Sequence, residues 1–475
     1  MNTTDKIIDF NSLKNFISPL ERVVHCHGCF DVLHAGHLRY FQEARRHGDV
    51  LVVTVTSDRF VNKGPGRPYF PAQIRAEMLA AMEVVDYVAI SDHLTAVPAI
   101  EALKPDYYVK GPDYKDRTKD ITGEIYNEEE AVKNNGGSII FTDDETFSSS
   151  SIINQYFNPR TDDQMEVIDH VKSKGGITYC FDQLNRLEKE RVTVIGEPIY
   201  DIYRFCLPEN ISSKSPSLSA RFQREETYEG GAWAIVKHLR SFVRDVQLYY
   251  PTKMKIPEKV RYIAGSQRMF EVTDMEPDSF VLSDSARFTK LMVKEANGSD
   301  ICILADFGHR LFEGEVLNSC SEIKSFVGLN VQTNSSNLGF NLCGKHRNFD
   351  LLSIDTRETR LHLRDRTSDP ITLARRLGSE LTGKHLAVTL GPNGAWSLSR
   401  GEESYSPAFS GQVIDATGAG DAFFGLITCL TKIGTDPRTA LFISNVFAGL
   451  KTGIIGNSQP VSKASLGKSL TSILK

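Results

Sequence analysis

The stretch VVHCHGCFDVLHAGHLRYFQEARRHG, residues 23–48, decides the fold of the first part of the chain. Val23 to His27 reads as a β-strand, with Gly28 just after it. His37 to His47 reads as a helix with Leu38, Phe41 and Ala44 on one stripe and Gly48 as its stop. Outward from there, Val50 to Thr56 (VLVVTVT) is a β-branched strand. Ile74, Met78, Ala81, Met82 and Val85 fall on one helical face. Tyr87 to Ile90, Tyr107 to Val109 and Ser138 to Thr142 complete five strands. Continuous apolar strands alternating with helices predict an α/β fold with a parallel, doubly wound sheet. Ligands of such sheets sit at the carboxyl ends of the strands.

The rest of the chain divides in two. Residues 158–190 are polar and helical, broken at Gly175-Gly176, and read as a connector between an N-terminal domain of residues 1–157 and a second domain of residues 191–475. The second domain opens on a strand at Val192 (VTVIG) and returns to βα alternation. Its polar, Ser-rich stretch from Ser212 to Glu229 reads as an insertion. The whole chain is therefore expected to hold two doubly wound parallel-sheet domains.

Composition narrows the class of function. With 475 residues, 40% hydrophobic and 24% charged, the chain has material for more than one core and is not a disordered or fibrous sequence. A net charge of -5 gives no bulk attraction to nucleic acid or anionic lipid, so neither is expected as a partner. No run approaches the ~18 apolar residues of a membrane helix. The start, MNTTDKIIDFNSLKNF, lacks a basic segment followed by an apolar one, and the 8 cysteines are scattered. Both observations point to a cytoplasmic protein with reduced thiols.

Chemistry concentrates first at HAGH. His34 and His37 bracket Gly36 at the start of a helix, where free amides and the positive dipole end favour a phosphate. Two imidazoles there can donate to oxygens that gain charge in a phosphoryl transition state. The string HCHGC (His25, Cys26, His27, Cys29) has metal-like spacing, yet residues on one strand alternate between faces and no second ligand pair follows. The HAGH motif in this context resembles the nucleotidyltransferase superfamily that includes the cytidylyltransferases. Lys63 in NKGPGRPYFP, Arg75 in QIRAEMLAAM, Lys110 and Asp113 in VKGPDY, and Ser148, Ser149 and Ser150 in FSSSSII match further motifs of that family in order. The resemblance implies that His34, His37 and Lys63 are catalytic. It implies nucleotide contacts from Gly28, Phe30, Gly36, Arg75, Lys110, Asp113 and the three serines. A tRNA-ligase reading of the same motif fails, because no KMSK-like loop appears.

A second site stands in VIDATGAGDAFFGLITCL, residues 413–430. Gly418, Ala419 and Gly420 form a small-residue turn into a helix, and amides in such a turn make an anion hole. Asp421 at the helix start can take a proton from an attacking hydroxyl. This string resembles the ribokinase-like (PfkB) carbohydrate kinases. The resemblance implies that Asp421 is the catalytic base and that Thr417, Gly418, Ala419 and Gly420 form the anion hole. It puts Thr389, Gly391, Gly394 and Asn445 at ATP, Glu358 beside a magnesium–phosphate network, and Asp201, Gly230 and Gly231 at the sugar. Ala234 stands where that family usually has asparagine, and Trp233 is unusually bulky.

The combination is similar to the bifunctional enzymes of ADP-heptose synthesis, with the domain order reversed. It implies phosphorylation of a sugar or sugar phosphate, then nucleotidyl transfer to a sugar 1-phosphate. Mg²⁺, ATP and a second NTP (ATP or CTP) are implied as cofactor and substrates, with a homodimer by analogy. A monofunctional transferase with a non-catalytic kinase-like domain, and a non-enzymatic metabolite-binding scaffold, are the other readings open at this point.

Overall fold

The computed structural model describes residues 3–15, 21–61, 67–112, 124–142, 160–211, 217–265, 267–274, 285–335, 337–381, 384–411 and 413–475. They form two compact units, residues 1–161 with 467–475, and residues 162–466.

In the first unit, β1 (Val23–Gly28), β2 (Val50–Thr56), β3 (Tyr87–Ser91), β4 (Tyr107–Lys110) and β5 (Ser138–Phe141) form a parallel sheet in the order β3-β2-β1-β4-β5. The chain reverses its winding between β1 and β4, and a crevice for ligands opens at such a switch point. Helices α1 (Ala35–Arg45), α2 (Ala72–Ala80), α3 (Val97–Leu103) and α4 (Glu124–Asn134) connect the strands. The core joins Val24, Cys26, Leu51 and Val53 of the sheet to Phe41 and Ala44 of α1 and to Ala76 and Leu79 of α2.

The helical face expected over 74–85 is corrected. Helix α2 ends at Ala80, so its true stripe is Ala72, Arg75, Ala76, Leu79 and Ala80, while Ile74 and Met78 are exposed. On α1, Phe41 and Ala44 are buried as expected but Leu38 is exposed.

The second unit begins with α5 (Asp162–Ser173) and α6 (Gly176–Arg186). His170 on α5 pairs with Asp436 at 2.8 Å. An eight-stranded sheet follows in the order β17-β16-β15-β14-β13-β12-β6-β9. Its parallel part is β6 (Arg191–Gly196), β9 (Asp245–Tyr249), β12 (Ile301–Asp306), β13 (Phe326–Val331), β14 (Leu351–Asp355) and β15 (His385–Thr389). Toward one edge β16 (Ala395–Ser399) pairs antiparallel with β15, and the edge strand β17 (Glu402–Ser406) pairs antiparallel with β16.

A separate four-stranded sheet has the order β11-β10-β7-β8, from β7 (Pro198–Ile211), β8 (Leu218–Gly231), β10 (Glu258–Ala264) and β11 (Gln267–Asp274). The supposed insertion at 212–229 is thus largely strand β8, paired antiparallel with β7. Most of β8 is exposed, so its sequence lacks the apolar alternation that marks a strand packed on a core.

Helices α7 (Ala232–Leu239), α8 (Ser285–Asn297), α9 (Gly314–Ser319), α10 (Thr356–Leu363), α11 (Pro370–Glu380), α12 (Ala419–Lys432) and α13 (Pro437–Lys451) are the other described α-helices of this unit, and α14 (Lys463–Leu474) runs across the boundary at residue 467. Leu304, Leu329, Leu352, Val388 and Trp396 form part of the second core. All eight cysteines are buried and none forms a disulfide. Among the described residues, no helix is long and apolar enough to cross a membrane.

Phe41 has no exposed surface, so Phe41→Ala should cost about 3–5 kcal/mol in the first unit. Both tryptophans, Trp233 and Trp396, lie in the second unit. In urea titration the far-UV circular dichroism transition should therefore move to lower denaturant while the tryptophan fluorescence transition moves less. Equal shifts would contradict the placement.

Candidate active sites

In the first unit the loop after β1 is held by charge. Asp31 is buried, accepts the amides of Tyr69 (2.8 Å) and Phe70 (3.1 Å), and pairs with the buried Arg67 at 2.7 Å. Sequence reasoning passed over Asp31; a lone acid between a strand and a helix carries little signal. Phe30 adopts φ 47, and its ring packs on Phe41 (5.1 Å) and His37 (5.6 Å). A Cβ at Gly28 would sit 3.0 Å from the Phe30 ring, so this glycine makes room for the phenyl group.

His34 caps α1. Its Nδ1 accepts from the Gly36 amide at 3.1 Å, and the Nδ1 of His37 accepts from the His34 amide at 3.4 Å. The two rings lie 3.9 Å apart, 32° from parallel. Because both Nδ1 atoms accept, the neutral rings carry their protons on Nε2. Two N–H donors are thus set at the amino end of α1, where the helix dipole favours an anion. Tyr40 of α1 donates to Val109 O of β4 at 2.6 Å, which fixes the helix across the switch point.

Other predicted residues stand differently. Arg75 is fully buried and is spent within the protein, donating to the carbonyls of Cys29, Thr56 and Phe70 and pairing with Asp58 at 2.6 Å. It ties the ends of β1 and β2 together. Lys110, at the end of β4, pairs with Glu128 of α4 at 2.6 Å. His25 and His27 share Thr54 Oγ1 at 2.7 and 2.8 Å. Burial, then nearby Lys110, pulls the His27 pKa down to about 3, so that ring stays neutral. Lys63, Asp113, Ser148, Ser149 and Ser150 lie outside the described residues.

In the second unit one cleft brings together Asp201 and Gly231, the turn residues Thr417, Gly418 and Gly420, and Asp421. It also takes in Lys259, Arg261, Gln332 and Asn457, which sequence reasoning missed. Gly418 has φ 79, and Ala419 begins α12. Asp421 is buried and accepts from Gln332 Nε2 at 2.9 Å. Burial, and then the negative charge of Asp201, push its pKa up to about 6.

Asp201 forms a buried ion pair with Arg261 and accepts from Asn457 Nδ2 at 3.3 Å. A side chain at Gly230 would collide with the Asp201 carboxylate. Glu197 accepts the amides of Phe307, His309 and Leu311 at 2.9, 3.2 and 3.1 Å, shaping the loop that brings Phe307 to the cleft.

On the side expected for ATP, Glu358 and Asp355 form a reciprocal cap at the start of α10. Glu358 also accepts from Thr333 N at 3.2 Å, and burial beside Asp355 lifts its pKa to about 8. Thr389 pairs in register with Asp355 and leads into the turn at Gly391 and Gly394, with φ 59 and 90. Asn445 is buried with its amide spent on Ser406 O at 2.8 Å. Ala234 is buried, and Trp233 packs against Tyr200 and Tyr250.

Comparison with known proteins agrees with this division. Residues 25–155 match the cytidylyltransferase-like family model, and residues 349–464 match that of the pfkB family carbohydrate kinases. Similar curated proteins include the bifunctional protein HldE of Alcanivorax borkumensis, 50% identical over 96 residues, 20% of each chain. HldE of Methylobacillus flagellatus is 45% identical over 116 residues, 23% of this chain and 24% of that one. The chain thus spans about a fifth to a quarter of the length of the curated relatives it matches. Among solved structures, ribokinase from Thermotoga maritima is 15% identical with a TM-score of 0.45, covering 59% of this chain and 99% of that one. Phosphofructokinase-2 from Escherichia coli is 12% identical with a TM-score of 0.47, covering 60% of this chain and 100% of that one. The chain therefore carries a cytidylyltransferase-like domain in its N-terminal part and a pfkB-family carbohydrate kinase domain in its C-terminal part.

Proposed function

We propose that the chain is a cytoplasmic, bifunctional sugar-activating enzyme, with a nucleotidyltransferase in residues 1–157, a helical connector in 158–190 and a carbohydrate kinase in 191–475. The observation that carries the reading is the pair of helix starts, each built to receive a phosphoryl group. One presents the Nε2 donors of His34 and His37; the other presents the Gly418–Gly420 turn with Asp421 beside it.

In the first reaction an oxygen of a sugar 1-phosphate attacks the α-phosphorus of an NTP. A new P–O bond forms, the bond to the bridging oxygen breaks, and pyrophosphate leaves. His34, His37 and the α1 amides stabilise the charge that gathers on the phosphoryl oxygens, with Lys63, Lys110 and Asp113 assigned to the same nucleotide. In the second reaction Asp421 takes the proton of a sugar hydroxyl, whose oxygen attacks the γ-phosphorus of ATP, and ADP leaves. Asp201 holds the sugar while the glycine turn receives the transferring group. The products serve NDP-sugar synthesis, heptose-like, for glycan assembly.

Magnesium enters with each triphosphate and, when bound, neutralises phosphate charge. Glu358 would serve there: its carboxyl is buried beside Asp355, which pushes its pKa up, and a divalent cation nearby would favour its charged form. The apolar side chains Leu207, Leu218, Phe222 and Phe270, exposed on the small sheet, suit pairing with a second copy. A buried Ala234, which offers the cleft no polar atom, favours the second reading, a transferase whose kinase-like half only binds.

Three outcomes test these assignments. His34→Ala should lower pyrophosphate release from NTP plus sugar 1-phosphate by about 10²–10³-fold, as expected for a lost transition-state donor. Asp421→Asn should lower sugar-dependent ATP consumption by about 10²–10⁴-fold without changing pyrophosphate release. The turnover number of the kinase should fall as pH drops through about 6, because Asp421 acts only when deprotonated. A flat profile down to pH ~5 would contradict the base assignment. If no sugar or sugar phosphate in a broad panel elicits ATP turnover while pyrophosphate release persists, the binding-only reading of the second unit takes over.

A further inference from the structure

Gln332 follows directly on β13, and the reactions above give it no role. Its Nε2 donates to Asp421 Oδ1 at 2.9 Å. A carboxylate only accepts, so the amide must turn its NH₂ toward it. Asp421 is buried and lines the cleft, and among the described residues no protein group takes its Oδ2, so that oxygen is left to the cleft. With Oδ1 held by a donor, a proton can load and leave only at Oδ2.

The backbone that carries Gln332 is fixed in turn. Its N–H donates to Asp306 O at 2.8 Å, and its carbonyl accepts from Asn341 Nδ2 at 3.1 Å. The same Asn341 amide donates to Asp306 Oδ1 at 3.0 Å. Asp306 is buried and pairs with His346 at 2.8 Å and Lys345 at 2.6 Å. The next residue, Thr333, donates its N–H to Glu358 at 3.2 Å. Two consecutive residues thus hold the carboxyl on the sugar side and the carboxyl on the ATP side, and the segment that bears them is moored to one buried aspartate.

We propose that Gln332 is a positioning residue for Asp421, holding Oδ1 so that Oδ2 alone faces the acceptor hydroxyl and takes its proton. The catalytic consequence rests on the kinase reading; the hold on Asp421 does not. An N–H donor favours the charged carboxylate, so Gln332 opposes the rise that burial and Asp201 impose. The charged groups that face Asp421 from other elements are Asp201 on β7, Lys259 on β10, Glu358 on α10 and Lys451 on α13. A change at Gln332 leaves all four in place.

The test uses the full chain with Gln332→Met, which keeps the length and loses the donor, and Gln332→Glu, which keeps the shape. Asp421 is followed without substrate by carbon-13 NMR of protein labelled at its aspartate carboxyls, the resonance being assigned by its loss in Asp421→Asn. In the wild type it should titrate at about 6. In Q332M it should titrate about one pH unit higher, because a carboxylate that loses a donor is easier to protonate. In Q332E a second carboxyl meets the first, and the titration should again lie above that of the wild type.

Turnover is read with whichever sugar or sugar phosphate supports the fastest ATP consumption by the wild type. At neutral pH, Q332M should lose about 10–10²-fold in turnover number, with the KM for ATP changed much less. The acid limb of its pH profile should move up together with the carboxyl titration. Pyrophosphate release by the first unit should stay at the wild-type level in both variants. If Asp421 titrates at the same pH in the wild type and Q332M, or if Q332M shifts the titration yet keeps wild-type turnover, the inference is overturned while the kinase reading stands. Should Q332M not fold, Q332E decides by the same two readouts. If the wild type consumes no ATP with any sugar, the kinase reading fails, and the carboxyl titration still decides whether Gln332 holds Asp421.

Discussion

Parallel strands followed by helices put carbonyl ends of strands and amino ends of helices at the same edge of a sheet, and both halves of this chain are built on that constraint. Free amides and a positive dipole end gather there before any side chain is considered. In the first unit the strand order β3-β2-β1-β4-β5 opens a crevice beside β1, and α1 points its first turn into it. In the second unit Ala419 begins a helix that is buried along most of its length, so its amino end is held firmly against the cleft. What each unit adds is a choice of side chains suited to one reaction.

Those choices show in how buried charge is handled. Ionic groups out of water are tolerated where their partners are complete. Asp31 with Arg67 and the amides of Tyr69 and Phe70, and Asp201 with Arg261 and Asn457, are of this kind, and the half-buried Asp415 is likewise supplied with two amides and a tyrosine. Asp421 is different: it keeps one short contact to Gln332 and faces Asp201 across the cleft, and its carboxyl is pushed upward as a result. A carboxylate left partly uncompensated is a poor structural element and a serviceable base.

The sequence was most readable where one interaction type dominates. VLVVTVT could only be a buried strand, and the glycines of TGAGD could only be a turn where backbone must stay bare. Reading failed where tertiary context assigns the role. Arg75 looked like a ligand for phosphate, yet burial makes it the tie between two strand ends, its donors taken by carbonyls distant in sequence. Asn445 likewise serves the backbone at Ser406. The β7–β8 ribbon escaped notice because a strand exposed over most of its length has no periodic apolar signal. Lys451 and Asp415 could not be paired from sequence, since their common partners Thr417 and Gly456 meet only in the folded chain.

The central claim is that this polypeptide holds two separate sites for a phosphoryl group in transfer. The most direct measurement is a crystal structure of the full chain grown with non-hydrolysable triphosphates. The account predicts one triphosphate at the amino end of α1, within hydrogen-bond reach of the Nε2 atoms of His34 and His37, and a second with its terminal phosphate over Gly418 to Gly420. Triphosphates bound well away from either helix start would contradict it.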